Sequence, residues 1–270
     1  MDRRLTPFSG RLAHVSLRGK VDAPLTAGEP ARVIAALADL RDAPAGARQR
    51  QLIHGAAVVV IDRQDGNAFV MASDDGYCGW LFSGDLGPPA RATHRVRAPA
   101  THLYPSPRVQ AEPHMPLYLT ARLEVVALCD GWAETPEGFV PARHLAPLDA
   151  PGSDPVDHAG GLLRAPYLWG GNSVAGVDCS GLVQIAFRAA GCELPGDSDL
   201  QQSAGRAIAA GEERRGDLVF WRGHVALVAG PDLILHANAH SMDVACEALD
   251  AAVARIRAAG GGEVVARRRP

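Results

Sequence analysis

Residues 146–156, Ala-Pro-Leu-Asp-Ala-Pro-Gly-Ser-Asp-Pro-Val, divide this chain into two stretches with different hydrophobic periods. Proline fixes φ and removes a backbone donor, and glycine frees the backbone, so regular structure stops on both sides of such a run. The chain therefore reads as multidomain, with a linker at 149–156 and a separate unit over 157–270. With 270 residues, 47% of them hydrophobic, there is material for more than one core.

Before the linker the pattern is mostly short and β-branched. Ala57–Asp62 is followed by the turn pair Asp65-Gly66, then by Asn67–Met71, another turn at Asp75-Gly76, and Gly79-Trp80-Leu81. A similar run recurs at Arg122–Leu128, Asp130-Gly131, Trp132–Thr135 and Gly138–Pro141, which reads as an internal repeat of one β module. Two small all-β barrels are expected, over 51–92 and 93–148. Residues 30–43 place apolar side chains at helical spacing with Pro30 in the first turn. That predicts a partly helical extension over 1–50, packed on the first barrel.

After the linker the spacing predicts a helix from Cys179 to Ala190, with Gly191 at its C-terminal end. Strands over 216–221, 224–228 and 232–236 follow, then a second helix over 246–259. A helix followed by an antiparallel meander is an α+β arrangement.

The net charge is −3, and the one dense basic run is Arg267–Arg269. No electrostatic footprint for nucleic acid or an anionic membrane surface is visible. Five cysteines without a CxxC pair argue against a disulfide scaffold and against a zinc site, so neither metal nor cofactor is expected. The N-terminus lacks an apolar signal segment and no stretch reaches membrane-spanning length, which leads to the expectation of a cytoplasmic protein with reduced thiols.

Chemistry concentrates after the linker. Cys179 opens the predicted helix, where the N-terminal field favours a thiolate and the first-turn N–H groups can donate to an oxyanion. A lone cysteine is more often a buried packing residue, and the other four are assigned that role. His224 begins one predicted strand and His236 ends the next, so a hairpin could bring both to one sheet edge. There His224 would serve as base and His236 would orient it. By spacing alone they are equally well two unrelated histidines.

The segments Pro166-Tyr167-Leu168-Trp169-Gly170-Gly171, Val177-Asp178-Cys179-Ser180-Gly181-Leu182-Val183-Gln184, Leu194–Gln201, Arg215–Trp221, His224–Leu227 and Leu235-His236-Ala237 occur in one order. Over about 157–250 they are very similar to the NlpC family of papain-like cysteine peptidases, and the β modules resemble bacterial SH3-like domains. The resemblance implies a Cys179–His224–His236 triad and an oxyanion hole formed by Tyr167 with the Cys179 N–H. Gly196 stands where the family often has Arg, which puts one supporting contact in doubt. The family cleaves peptidoglycan peptides, commonly between γ-D-glutamate and a diamino acid. Tandem SH3-like domains resemble a recycling subgroup that acts on murein tripeptides or tetrapeptides with a free N-terminal L-Ala. For such a substrate, Asp178 would oppose the ammonium, Ser180 and Ser198 would accept hydrogen bonds, and Tyr77 would close the pocket. Tyr77 reads equally well as a barrel-core aromatic, and Asp178 as a helix cap. Trp169 and Trp221 read as core.

The resulting expectation is a cytoplasmic γ-D-glutamyl-L-diamino acid endopeptidase of wall recycling. The rivals are a secreted wall hydrolase with wall-binding SH3-like domains and a non-catalytic sensor of wall peptides. Amidase or acyltransferase chemistry on the same fold is a smaller alternative.

Overall fold

A computed structural model describes residues 1–270. The chain forms two compact units, Met1–Ala150 and Pro151–Pro270. The first unit is built on a seven-stranded antiparallel sheet. Its strands are β1 (Glu29–Val33), β2 (Leu37–Arg41), β3 (Arg48–Ile53), β4 (Ala57–Gln64), β5 (Asn67–Ala72), β6 (Cys78–Phe82) and β7 (Leu86–Gly87). They lie in the order β3-β2-β6-β5-β4-β1-β7.

The helix expected over 30–43 is two strands instead. In β2, Ala38 and Leu40 are buried and their neighbours are not, a period of two that the Ala-rich sequence carries alongside its helical period. Pairing to the sheet decides between them. Pro30 is tolerated because β7 reaches only Arg32 and Val33, so no second neighbour needs an N–H at Pro30. Residues 29–53 therefore belong to the first sheet, not to an extension. The expected turn is present at Asp65-Gly66, where φ is 48° and 75°, the left-handed pair that a two-residue hairpin demands. Val33, Leu40, Leu52, Val60, Val70, Tyr77 and Leu81 fill the interior.

The repeat region carries shorter strands, among them Ala127–Cys129, Trp132–Thr135 and Gly138–Pro141, joined as one meander. Within this unit Arg32 and His54 both reach Glu137, tying the two β regions together.

The second unit starts at Pro151, inside the expected linker, and its first helix, α1 (Pro155–Gly160), begins there too. α2 (Cys179–Ala189) and the short α3 (Ser198–Gln201) precede a six-stranded sheet. The sheet comprises β8 (Arg206–Ala207), β9 (Leu218–Trp221), β10 (His224–Gly230), β11 (Leu233–Asn238), β12 (Asp243–Ala248) and β13 (Ala266–Arg269). Its order is β8-β13-β9-β10-β11-β12. The helix expected over 246–259 starts later, as α4 (Leu249–Ala258), because residues 243–248 pair along β11. Val219, Trp221, Ala226, Val228 and Ile234 pack with Ala252 of α4. α2 is buried almost throughout. No helix of the chain is long and apolar enough to cross a membrane.

Leu40 is 0% exposed, so Leu40→Ala should cost about 2–5 kcal/mol. The denaturant midpoint of the first unit should fall accordingly, whereas a solvent-facing helix position would leave it unchanged.

Candidate active site

The α2 tip is built around Asp178. Its carboxylate accepts from the Gly181 N–H at 2.7 Å, the Gly170 N–H at 2.8 Å and the Ser180 hydroxyl at 3.1 Å. One side chain thus caps the helix and fixes the Gly170 loop beside it. Gly181 is required here: a Cβ would meet the Gly171 carbonyl oxygen at 2.4 Å and Asn172 Oδ1 at 2.9 Å. The fully buried Gln201 amide donates to the carbonyls of Ser180 and Pro195, and Gln184 donates to that of Leu194.

Cys179 follows the cap and is buried. The N–H groups of Val225, Ser180 and Cys179 itself are directed at the sulfur and favour its anion. Burial, reinforced by the Asp178 charge, works the other way and pushes the thiol up to about 12. The helix-tip donors expected from the sequence are present, and burial opposes them. Val225 immediately follows His224, so the strand start that supplies one donor also supplies the base.

The two histidines, which spacing alone left open, are brought together by the β10–β11 pairing. Leu227 pairs with Leu235 across β10 and β11, which sets His236 opposite Ala226 and diagonal to His224. His224 Nε2 lies 3.0 Å from His236 Nδ1. Trp221 pairs directly with His224 across β9 and β10, with ring centroids 5.7 Å apart. Burial pushes His224 down to about 3, helped by His236, and pushes His236 down to about 4. Both rings are therefore neutral at rest.

A residue the sequence reading missed completes the row. His236 Nε2 lies 3.3 Å from the Glu247 carboxylate without the alignment of a hydrogen bond, and it has no other partner in the protein. Glu247 is in turn held by Arg255 at 2.9 and 2.6 Å. A carboxylate accepts only, so its nearness favours the proton on His236 Nε2, with Nδ1 as the lone pair. His224 must then donate from Nε2, which leaves its Nδ1 bare to accept the cysteine proton. Glu247 and Arg255 carry no motif of their own; the only sequence signal was their place on the strand and helix after His236.

Tyr167 is set beside this centre by a parallel bridge to Val177 and by its N–H bond to Met242. Burial pushes its hydroxyl up to about 12, with the neighbouring Cys179 and Asp178 adding to the shift, so it remains a donor. Ser180 and Ser198 are both buried, and the Ser180 hydroxyl is engaged by Asp178. Tyr77, expected to close a substrate pocket, is 2% exposed within the barrel core, where the Arg50 guanidinium lies 5.0 Å above its ring. It is a packing residue of the first sheet. Trp221 is fully buried as expected, but Trp169 is 67% exposed. Of the other cysteines only Cys78 packs in a core; Cys129, Cys192 and Cys246 are exposed. No group of His, Cys, Asp or Glu side chains converges in a way that would hold a metal ion.

A helix-tip cysteine, a base on the facing sheet and a ring that fixes the base define a cysteine peptidase of papain-like architecture. Residues 164–260 match the NlpC/P60 family, and residues 40–86 match the bacterial dipeptidyl-peptidase SH3 domain. The chain is similar to a γ-D-glutamyl-L-lysine dipeptidyl-peptidase from Bacillus subtilis, 28% identical over 70% of this chain and 72% of that protein. It is also similar to the peptidoglycan endopeptidase RipB of Mycobacterium tuberculosis, 36% identical over 31% of this chain and 42% of RipB. A solved NlpC/P60 family protein from Bacillus cereus shares the fold with a TM-score of 0.77 and 20% identity, covering 89% of this chain and 99% of that one.

Replacing Glu247 by Ala should lower kcat/KM roughly tenfold through kcat, because the tautomer of both rings loses its anchor. Unchanged kcat and an unchanged pH profile would contradict that role. The depressed histidines also predict a stability slope. Between the ordinary value of 6.5 and about 4 the unfolded chain binds a proton at position 236 that the folded one refuses, so stability falls on acidification. For the buried His236 the loss from pH 6.5 to 5 is about 1–2 kcal/mol. His236→Asn should flatten the pH dependence of the denaturant midpoint of the second unit by that amount.

Proposed function

We propose that this protein hydrolyses the γ-D-glutamyl-L-diamino acid bond of short murein peptides bearing a free N-terminal L-Ala, in the cytoplasm, as part of wall recycling. The observation that carries the reading is the His224–His236 contact on a strand whose next residue, Val225, directs its N–H at Cys179, the first residue of a helix capped by Asp178. The similarity to a γ-D-glutamyl-L-lysine dipeptidyl-peptidase supports the choice of bond. The β region over 93–148 is read as a second SH3-like barrel.

Attack begins from the neutral pair. As the Cys179 sulfur bonds to the γ-carbonyl carbon, its proton passes to His224 Nδ1. The carbonyl oxygen becomes an oxyanion, met by the Cys179 N–H and the Tyr167 hydroxyl. Collapse breaks the C–N bond, and His224 returns the proton to the leaving amine. A water molecule, deprotonated by His224, then cleaves the thioester and restores the thiol. His236 keeps His224 oriented throughout. At the acyl side the Asp178 charge opposes the substrate ammonium while its oxygens hold the helix cap.

L-Ala-γ-D-Glu-diaminopimelate should release L-Ala-D-Glu, and the same peptide acetylated at its N-terminus should not. Equal cleavage of both would contradict the free-amine requirement and favour a secreted wall hydrolase. Cys179→Ala should abolish turnover with an unchanged circular dichroism spectrum; retained turnover would remove the nucleophile from the account.

A further inference from the structure

A cavity of about 430 Å³ opens beside the reacting centre within the second unit, inside the range of about 300–1,000 Å³ typical of small-molecule sites. Tyr167 and His224 form one wall, and Trp221, Arg222, His240 and Arg255 are among the residues of the others. No Asp or Glu lines it. Three features mark it as a place for an acceptor-rich group. Arg222 stands exposed at the turn between β9 and β10. Arg255 gives Nε and Nη2 to Glu247, which leaves Nη1 as a donor. The Trp221 ring is fully buried, yet its indole N–H has no acceptor in the protein. An unmet buried donor costs free energy unless a ligand satisfies it.

The side of the scissile bond follows from the chemistry. His224 must hand its proton to the leaving amine, so the leaving nitrogen sits against His224. The chain beyond that nitrogen enters the cavity that His224 itself lines. We propose that this cavity is the subsite for the leaving residue, and that it selects a side chain whose end carries a carboxylate besides its ammonium, as in diaminopimelate, over one ending in ammonium alone, as in lysine. The inference rests on the γ-D-glutamyl reaction proposed above. It divides the site by charge: the carboxylate of Asp178 on the acyl side, arginines on the leaving side.

The test compares L-Ala-γ-D-Glu-meso-diaminopimelate with L-Ala-γ-D-Glu-L-Lys, using the full chain and its Arg222→Gln variant. The diaminopimelate peptide should be favoured roughly tenfold or more in kcat/KM, as for loss of a charge-assisted contact. Arg222→Gln should erase most of that ratio by slowing the diaminopimelate peptide far more than the lysine peptide. Equal or faster turnover of the lysine peptide, or an unchanged ratio in the variant, would overturn the proposal. If neither peptide turns over, the reaction reading fails, and the subsite is judged separately by titrating free diaminopimelate and free lysine into the isotopically labelled Cys179→Ala protein. The Trp221 indole N–H resonance should move with diaminopimelate and not with lysine; the reverse, or no movement with either, would overturn the subsite.

Discussion

The bond between His224 Nε2 and His236 Nδ1, 3.0 Å long, is the contact on which the site depends. Two neutral imidazoles can make it in either direction, and only one direction leaves the His224 nitrogen on the cysteine side without a proton. The choice is made one residue further out, where Glu247 can only accept. The β10–β12 register that places these three side chains on neighbouring strands is therefore as much a part of the chemistry as the rings themselves. Arg255 extends the row into α4, so the helix that covers this face of the sheet also anchors its carboxylate.

At the α2 tip two opposing effects act on one sulfur. Helix-end and strand N–H groups favour the anion, while burial disfavours any charge and prevails. The same burial pushes both histidines down. A buried thiol beside a buried neutral base is a resting state without separated charge. The charge appears when the carbonyl arrives and the oxyanion donors have something to stabilise. Asp178 sits under this arrangement and is itself pushed up by burial, while the N–H bonds from Gly181 and Gly170 work in the opposite direction.

Much of this was legible in the sequence, for identifiable reasons. Cys179, His224 and His236 stood at predicted element ends, where spacing left their roles open and the ordered motifs around them decided, and the turn pair Asp65-Gly66 announced its hairpin. The failures share a cause. Residues 30–43 are rich in alanine, which fits a helix or a pleat equally, and pairing with β4 and β7, invisible locally, decided the matter. Cys246–Ala248 lost its helical reading to pairing along β11. Tyr77 could have faced a pocket or a core, and only the closure of the sheet around it fixed which. Glu247 and the orphan indole of Trp221 were beyond reach because neither belongs to a spacing pattern. Each acquires meaning from what lies across a strand.

The central claim concerns where two protons reside, and nitrogen-15 NMR of the imidazoles reads it directly. At pH 7 the account predicts that His224 and His236 are both neutral, each protonated on Nε2 with Nδ1 bare. A His224 ring protonated on Nδ1, or an imidazolium carrying both protons beside a resting thiolate, would contradict it.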